Sequence, residues 1–244
     1  MRNLLVLFRR ELTGYFATPV AYVFIFFFLV LMGGLTFNLN SFYERGQADL
    51  QPFFNWHPWV YLFFVPAIAM RLWAEERRAG TIELLMTLPV TLGQVVVSKF
   101  LAAWAFIGLA LALTFPMVWT VNYLGSPDNG VIAAGYAGSF LMAGAYLAIG
   151  SAVSALTRNQ VIAFVVSVAI CFLMNLAGLP AVVSVVEGVL PEALVEGVAS
   201  LSFLTHFDAV TKGVIDARDL LFYLSVMGCF LVANAIVLAY TKAD

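Results

Sequence analysis

Charge is scarce in this chain of 244 residues: 11% are Asp, Glu, Lys or Arg and 63% are hydrophobic, where soluble domains average about 25% and roughly 45–50%. Six stretches of more than twenty residues, 12–43, 50–70, 100–127, 129–157, 159–186 and 220–241, hold no charged residue at all. A helix crossing a hydrocarbon layer of ~30 Å takes about 20 apolar residues, so each stretch is long enough for one crossing. Only short loops remain, none near the roughly 100 residues of an independent soluble domain. There is no room among them for a fused catalytic domain.

Other absences narrow the chemistry. No G-x-x-x-x-G-K-[ST] phosphate loop, H-E-x-x-H helix or G-x-S-x-G elbow occurs, which argues against nucleotide hydrolysis by the P-loop route, zinc hydrolysis and serine hydrolysis. The two histidines, His57 and His206, read as an interfacial ring and a loop side chain, so no metal site and no catalytic residue is expected. The two cysteines, Cys171 and Cys229, fall inside apolar stretches and read as packing residues. A net charge of −2 offers no basic face for nucleic acid.

The apolar stretches predict an all-α membrane protein, a single transmembrane domain over 1–244 with spans at 19–40, 57–74, 98–124, 131–156, 160–180 and 219–241. With a cytoplasmic N-terminus, nine cations (Arg2, Arg9, Arg10, Arg71, Arg77, Arg78, Lys99, Arg158 and Lys242) fall inside and three (Arg45, Lys212 and Arg218) outside. That is the positive-inside distribution, with both termini cytoplasmic. Tyr22, His57, Trp59, Tyr123, Tyr136, Tyr223 and Tyr240 lie near the span ends as an interfacial aromatic belt.

Residues 1–18 read as an amphipathic helix on the inner membrane surface. Leu4, Leu5, Phe8, Leu12, Tyr15 and Phe16 form its apolar side, with Arg9, Arg10, Glu11 and Thr13 opposite. Thr18-Pro19 ends it. The second apolar stretch stops near Met70, barely long enough to span, so its helix is expected to continue past the membrane through RLWAEERR, residues 71–78. Gly80 then reads as a hinge. Thr81 reads as the N-cap of a short helix to Leu88 that Pro89 closes, with Ile82, Leu85 and Met86 on one stripe. Eight residues make about 12 Å of helix, too short to cross a membrane and marginal alone in water. Its composition suits a handle seated in a partner's groove: apolar anchors preceded by Glu75, Glu76, Arg77 and Arg78.

Further along, Pro116 should kink the third span, with Thr114 and Thr120 satisfying freed carbonyls. Gly144, Ala148 and Ala152 form a small-residue stripe fit for a close helix contact, within the chain or between subunits. Residues 181–218 read as an external pair of short helices dipping into the outer interface. Asp208 and Lys212 are spaced to pair, and Asp219 to cap the last span. Ion-driven carriers usually keep ionisable groups at membrane depth. Here the polar groups at depth are uncharged, such as Asn38, Ser139, Tyr146, Ser151, Ser167, Asn175 and Asn234. Energy supplied from outside the bilayer is the favoured reading; a stand-alone channel or secondary carrier is the alternative.

The stretch AEERRAGTIELLMTLPVTLGQVVVSKF, residues 74–100, resembles the first cytoplasmic loop of type-2 ABC transporter permease subunits, in the pattern acidic-x-x-x-x-G-T-x-E-x-L-x-x-x-P followed by a lysine. The matching positions are Glu75, Glu76, Gly80, Thr81, Glu83, Leu84, Pro89 and Lys99. RRELTGYFATPVAYVF and FLTHFDAVTKGVIDARDLLFYLS are similar to the gliding-motility-type subgroup. The resemblance implies six spans, an N-terminal interface helix, residues 75–89 as a coupling helix on an ATPase subunit, and paired helices before the last span. It also implies two ATPase copies carrying ATP and Mg²⁺, no cofactor on this chain, a second permease copy or related subunit, and a bacterial inner-membrane location. An auxiliary membrane protein with a large periplasmic domain often accompanies that subgroup.

Overall fold

The computed structural model describes residues 2–39, 42–44, 46–82, 90–187, 197–214 and 216–241, and every regular element among them is helical. They are α1 (Arg2–Phe16), α2 (Pro19–Gly34, continued by a π turn Leu35–Leu39), α3 (Gln51–Phe54), α4 (His57–Ala69), α5 (Arg71–Ala79), α6 (Leu92–Ala112), α7 (Pro116–Leu124), α8 (Asn129–Leu156), α9 (Gln160–Leu176), α10 (Pro180–Glu187), α11 (Phe203–Thr211) and α12 (Ala217–Thr241). Four stretches are long and apolar enough to cross a membrane: Pro19–Leu39, Leu92–Leu124, Asn129–Leu156 and Ala217–Tyr240. Gln160–Leu176 is apolar but shorter, and α4 has 13 residues.

The bundle is built around α8, which packs against α4, α5, α6, α9, α11 and α12. A helix surrounded on every side needs small side chains wherever a neighbour's backbone comes close. Gly144 is such a place: a Cβ there would meet Met227 Sδ of α12 at 2.7 Å and the Trp104 ring of α6 at 2.9 Å. The small stripe thus makes its contact within the chain, with Ala148 and Ala152 also buried. Gly150, outside that stripe, faces Ala69 of α4, where a Cβ would come within 2.5 Å.

Local signals explain the helix ends. Thr91 and Gln94 form a reciprocal capping box that starts α6, seven residues before the expected span at 98. Lys99 therefore lies two turns inside a helix rather than at its opening. Asp128 caps α8 and Asn159 caps α9. The third span breaks over 113–115 ahead of Pro116, and Thr114 Oγ1 donates to the Leu111 carbonyl at 2.6 Å while Thr120 Oγ1 donates to Pro116 O at 2.9 Å. Asp216, not Asp219, accepts from a first-turn amide of α12, that of Arg218.

Several burial expectations change. Tyr22, Tyr123 and Tyr240 are exposed at the bundle ends, but His57 and Tyr223 are buried, His57 against Phe53, Phe54 and Tyr61. On α1 the packed row is Leu7, Glu11, Leu12 and Tyr15, while Leu5 is exposed. Glu11 therefore faces α6 rather than solvent, because it sits one helical turn from both Leu7 and Tyr15. Cys171 is buried and Cys229 exposed on α12.

Candidate functional site: a buried lysine clamp at the basic end

α4 and α5 follow almost without interruption, Met70 between them keeping right-handed helical angles, so the polar α5 continues the apolar α4 beyond the bundle's apolar zone. Its two faces differ. Leu72, Trp73 and Ala74 are buried, and Glu75 and Arg78 point outward. Gly80 ends α5 in the left-handed region at φ 70°, a conformation that costs glycine little.

Two helices, α1 and α5, converge on Lys99 of α6. Its Nζ donates to Glu76 Oε1 of α5 at 2.8 Å and to Glu11 Oε2 of α1 at 3.0 Å, and lies 5.5 Å from the Trp73 ring centroid. Only 5% of the lysine side chain is exposed, against 18% and 22% for the two carboxylates, so the cation is removed from water and held by both anions. Burial alone would raise the Glu11 pKa; Lys99 and Arg10 outweigh it and hold that carboxyl below its ordinary range. A cavity of about 460 Å³ adjoins the clamp, lined by Arg10, Glu11, Arg71, Glu75, Glu76 and Lys99 among others.

On its other face α5 is fastened to α8. Trp73 Nε1 donates to Ser151 Oγ at 3.2 Å, and the amides of Trp73 and Ala74 donate to Ser154 Oγ at 3.2 and 3.0 Å. Ser154 in turn donates to the Met70 carbonyl at 2.9 Å, satisfying a group at the α4–α5 join. Arg77 donates to the carbonyl of Ala155 at the end of α8. Ser151 also accepts from Asn234 of α12 at 2.7 Å. α5 is thus tied directly to α6 and α8, through Lys99 to α1, and through Ser151 to α12.

Of the residues singled out in the sequence, Glu11 and Glu76 meet at the clamp, and Leu12 and Phe16 pack beside it on α1, Phe16 edge-on against Phe106 at 5.8 Å. Arg9 is exposed, Arg10 pairs with Glu11 at 2.5 Å, and exposed Glu75 lies 3.9 Å from Arg71. Thr81 and Ile82 resume helix after Gly80, and Thr81 Oγ1 donates to the Glu76 carbonyl at 3.4 Å. Glu83, Leu84, Leu85, Met86 and Pro89 lie outside the described residues. Sequence reasoning missed Trp73, Ser151, Ser154 and Asn234 as partners of this site, and placed Lys99 only in a motif. A signal for Lys99 was present, since it shares a helical row with Val95, Val96, Ala102, Ala103 and Phe106, all buried.

At the opposite end His206 of α11 contacts Asp219 Oδ1 of α12 at 2.6 Å and the Ser200 carbonyl at 2.9 Å, and stacks on Phe222. It is part of a helix rather than a loop. Asp208 and Lys212 pair at 2.5 Å. Among the described residues no group of three or more His, Cys, Asp or Glu converges as a metal site would.

A family model described as ABC-2 family transporter protein matches residues 60–241, which includes α5, α6, α8 and α12 with all the contacts above except those of α1. No curated protein matches the chain.

Proposed function

The chain belongs to the ABC-2 transporter family, as a multi-pass membrane subunit distinct from the ATP-hydrolysing one, and from that membership we propose that it couples ATP hydrolysis by its partner to export or to mechanical signalling across the membrane. In this reading α5 and residues 75–89 form the coupling element. Two ATPase copies hold ATP and Mg²⁺, and a second permease copy or a related membrane subunit completes the membrane part of the complex. The protein lies in a bacterial inner membrane with both termini cytoplasmic, α1 rests at the cytoplasmic interface, and six segments cross. The gliding-motility subgroup, with a periplasmic auxiliary partner, is the nearest fit by its N-terminal and late motifs.

The observation that supports this most is the fastening of α5. A handle driven by a partner must be rigidly joined to what it moves. α5 meets that need through Lys99, Ser151, Ser154 and the Ala155 carbonyl. Deleting 81–88 is expected to abolish co-purification with the ATPase while leaving membrane insertion intact; unchanged co-purification overturns the reading. Glu76→Lys is a poor substitute because Glu76 faces Lys99. Glu75→Lys, at a side chain 57% exposed, probes the outward face without touching the clamp.

A further inference from the structure

We propose that the cavity between the end of α5 and the α8–α9 turn binds the phosphate of an anionic membrane lipid. The cavity has a volume of about 410 Å³ and is lined by Arg78, Thr157, Arg158, Asn159, Gln160 and Val161. Its two cations come from separate elements, Arg78 from the last turn of α5 and Arg158 from the turn joining α8 to α9. No carboxylate among the described residues pairs with either.

The proximity of these cations is built into the fold. Arg77 donates to the Ala155 carbonyl, three residues before Arg158, and so pins the end of α5 against the turn. Burial, and after it repulsion by Arg158, makes the Arg77 guanidinium less basic than usual. Guanidinium groups held together without a counter-charge favour a bound anion, and their planar donor forks suit phosphate oxygens.

The surroundings identify the anion as part of a lipid. Leu156, just before the turn, is 65% exposed, and past it Val161, Ile162 and Val165 are 67%, 51% and 56% exposed on an apolar helix. Cationic donors therefore sit at the head of an apolar ridge open to the surroundings, which matches a phosphodiester headgroup with its acyl chains alongside. The inference rests on membrane embedding and does not depend on ATP coupling.

The test is native mass spectrometry of the purified full chain in detergent with added phosphatidylglycerol. Phosphatidylcholine and inorganic phosphate serve as comparison ligands. The wild-type chain is expected to retain phosphatidylglycerol over phosphatidylcholine, and an excess of inorganic phosphate is expected not to displace it. Arg78→Gln and Arg158→Gln should each weaken retention about fivefold, the contribution of one cation near an anionic surface. Arg158→Lys should keep most of it, and Arg218→Gln, which removes an exposed cation at the other end, should change nothing. Arg158 is exposed on a turn, and an unchanged unfolding temperature of its variants certifies the fold. Three results overturn the proposal: equal loss with Arg218→Gln, displacement by inorganic phosphate, or unchanged lipid retention in Arg78→Gln and Arg158→Gln. Unchanged retention together with lost ATPase co-purification would make the arginines a docking surface for the partner protein.

Discussion

Asn234 Nδ2 on α12 donates to Ser151 Oγ on α8 at 2.7 Å, and Trp73 Nε1 on α5 donates to the same oxygen at 3.2 Å. One hydroxyl therefore joins three helices in a fully buried place. Ser151→Ala strands two donors and is expected to destabilise by about 2–6 kcal/mol, since each buried unsatisfied group costs about 1–3. Asn234→Leu strands none and removes an acceptor, Oδ1, that has no partner among the described residues; it should cost less than Ser151→Ala. Denaturant unfolding in detergent ranks the two, and a larger loss for Asn234→Leu contradicts the shared-acceptor assignment.

Lys99 compensates two carboxylates at once. Lys99→Met leaves Glu76 without its cation and Glu11 with Arg10 alone, and the expected loss is about 3–5 kcal/mol, the cost of breaking a buried ion pair from one side. Adding Glu11→Gln and Glu76→Gln to Lys99→Met should recover part of it. A triple variant no more stable than Lys99→Met alone would show that the three residues are not coupled.

Acid should loosen α1. The Glu11 carboxyl is held below its ordinary 4.5 in the folded chain, burial being outweighed by Lys99 and Arg10. A depressed folded pKa contributes stability that is complete above the unfolded value and lost as pH falls through the folded one. Thermal unfolding midpoints should therefore fall below pH 4.5, and Glu11→Gln should flatten that part of the profile. An unaltered profile in the variant would assign the acid sensitivity elsewhere.

Gly144 tolerates no Cβ at its present spacing. Met227 has a flexible thioether and can retreat, but Trp104 is held by its bond to the Phe140 carbonyl at 2.9 Å and by stacking on that ring at 4.3 Å. Gly144→Ala is expected to cost about 1–3 kcal/mol by overpacking, and Gly144→Leu to impair folding outright. Met227→Ala should relieve part of the alanine penalty. Thermal midpoints of the single and double variants measure this, and wild-type behaviour of Gly144→Leu would refute the close contact.

Helix positions were readable because apolar periodicity, Pro116 and the Gly80 hinge act locally. Side-chain partners were less so. Assigning Glu11 to the solvent face followed from its charge, whereas its spacing from Leu7 and Tyr15 puts it on the packed row. Lys99 read as the residue opening the third span because the Thr91 capping box, which starts α6 earlier, was passed over. His57 read as an interfacial ring, but α3 and α11 enclose it, and which helices surround a residue is a tertiary fact. The Trp73–Ser151–Asn234 junction joins residues up to 161 positions apart, a distance no local pattern spans.

The account turns on α5 and the residues after it facing the cytoplasm, where an ATPase can reach them. Thr81→Cys, in a chain whose exposed native thiol Cys229 is replaced by alanine, places one accessible label just beyond the Gly80 hinge. Reaction with a membrane-impermeant maleimide in inverted membrane vesicles but not in intact cells is the predicted result. Labelling in intact cells would put the handle on the far side of the membrane and contradict the account.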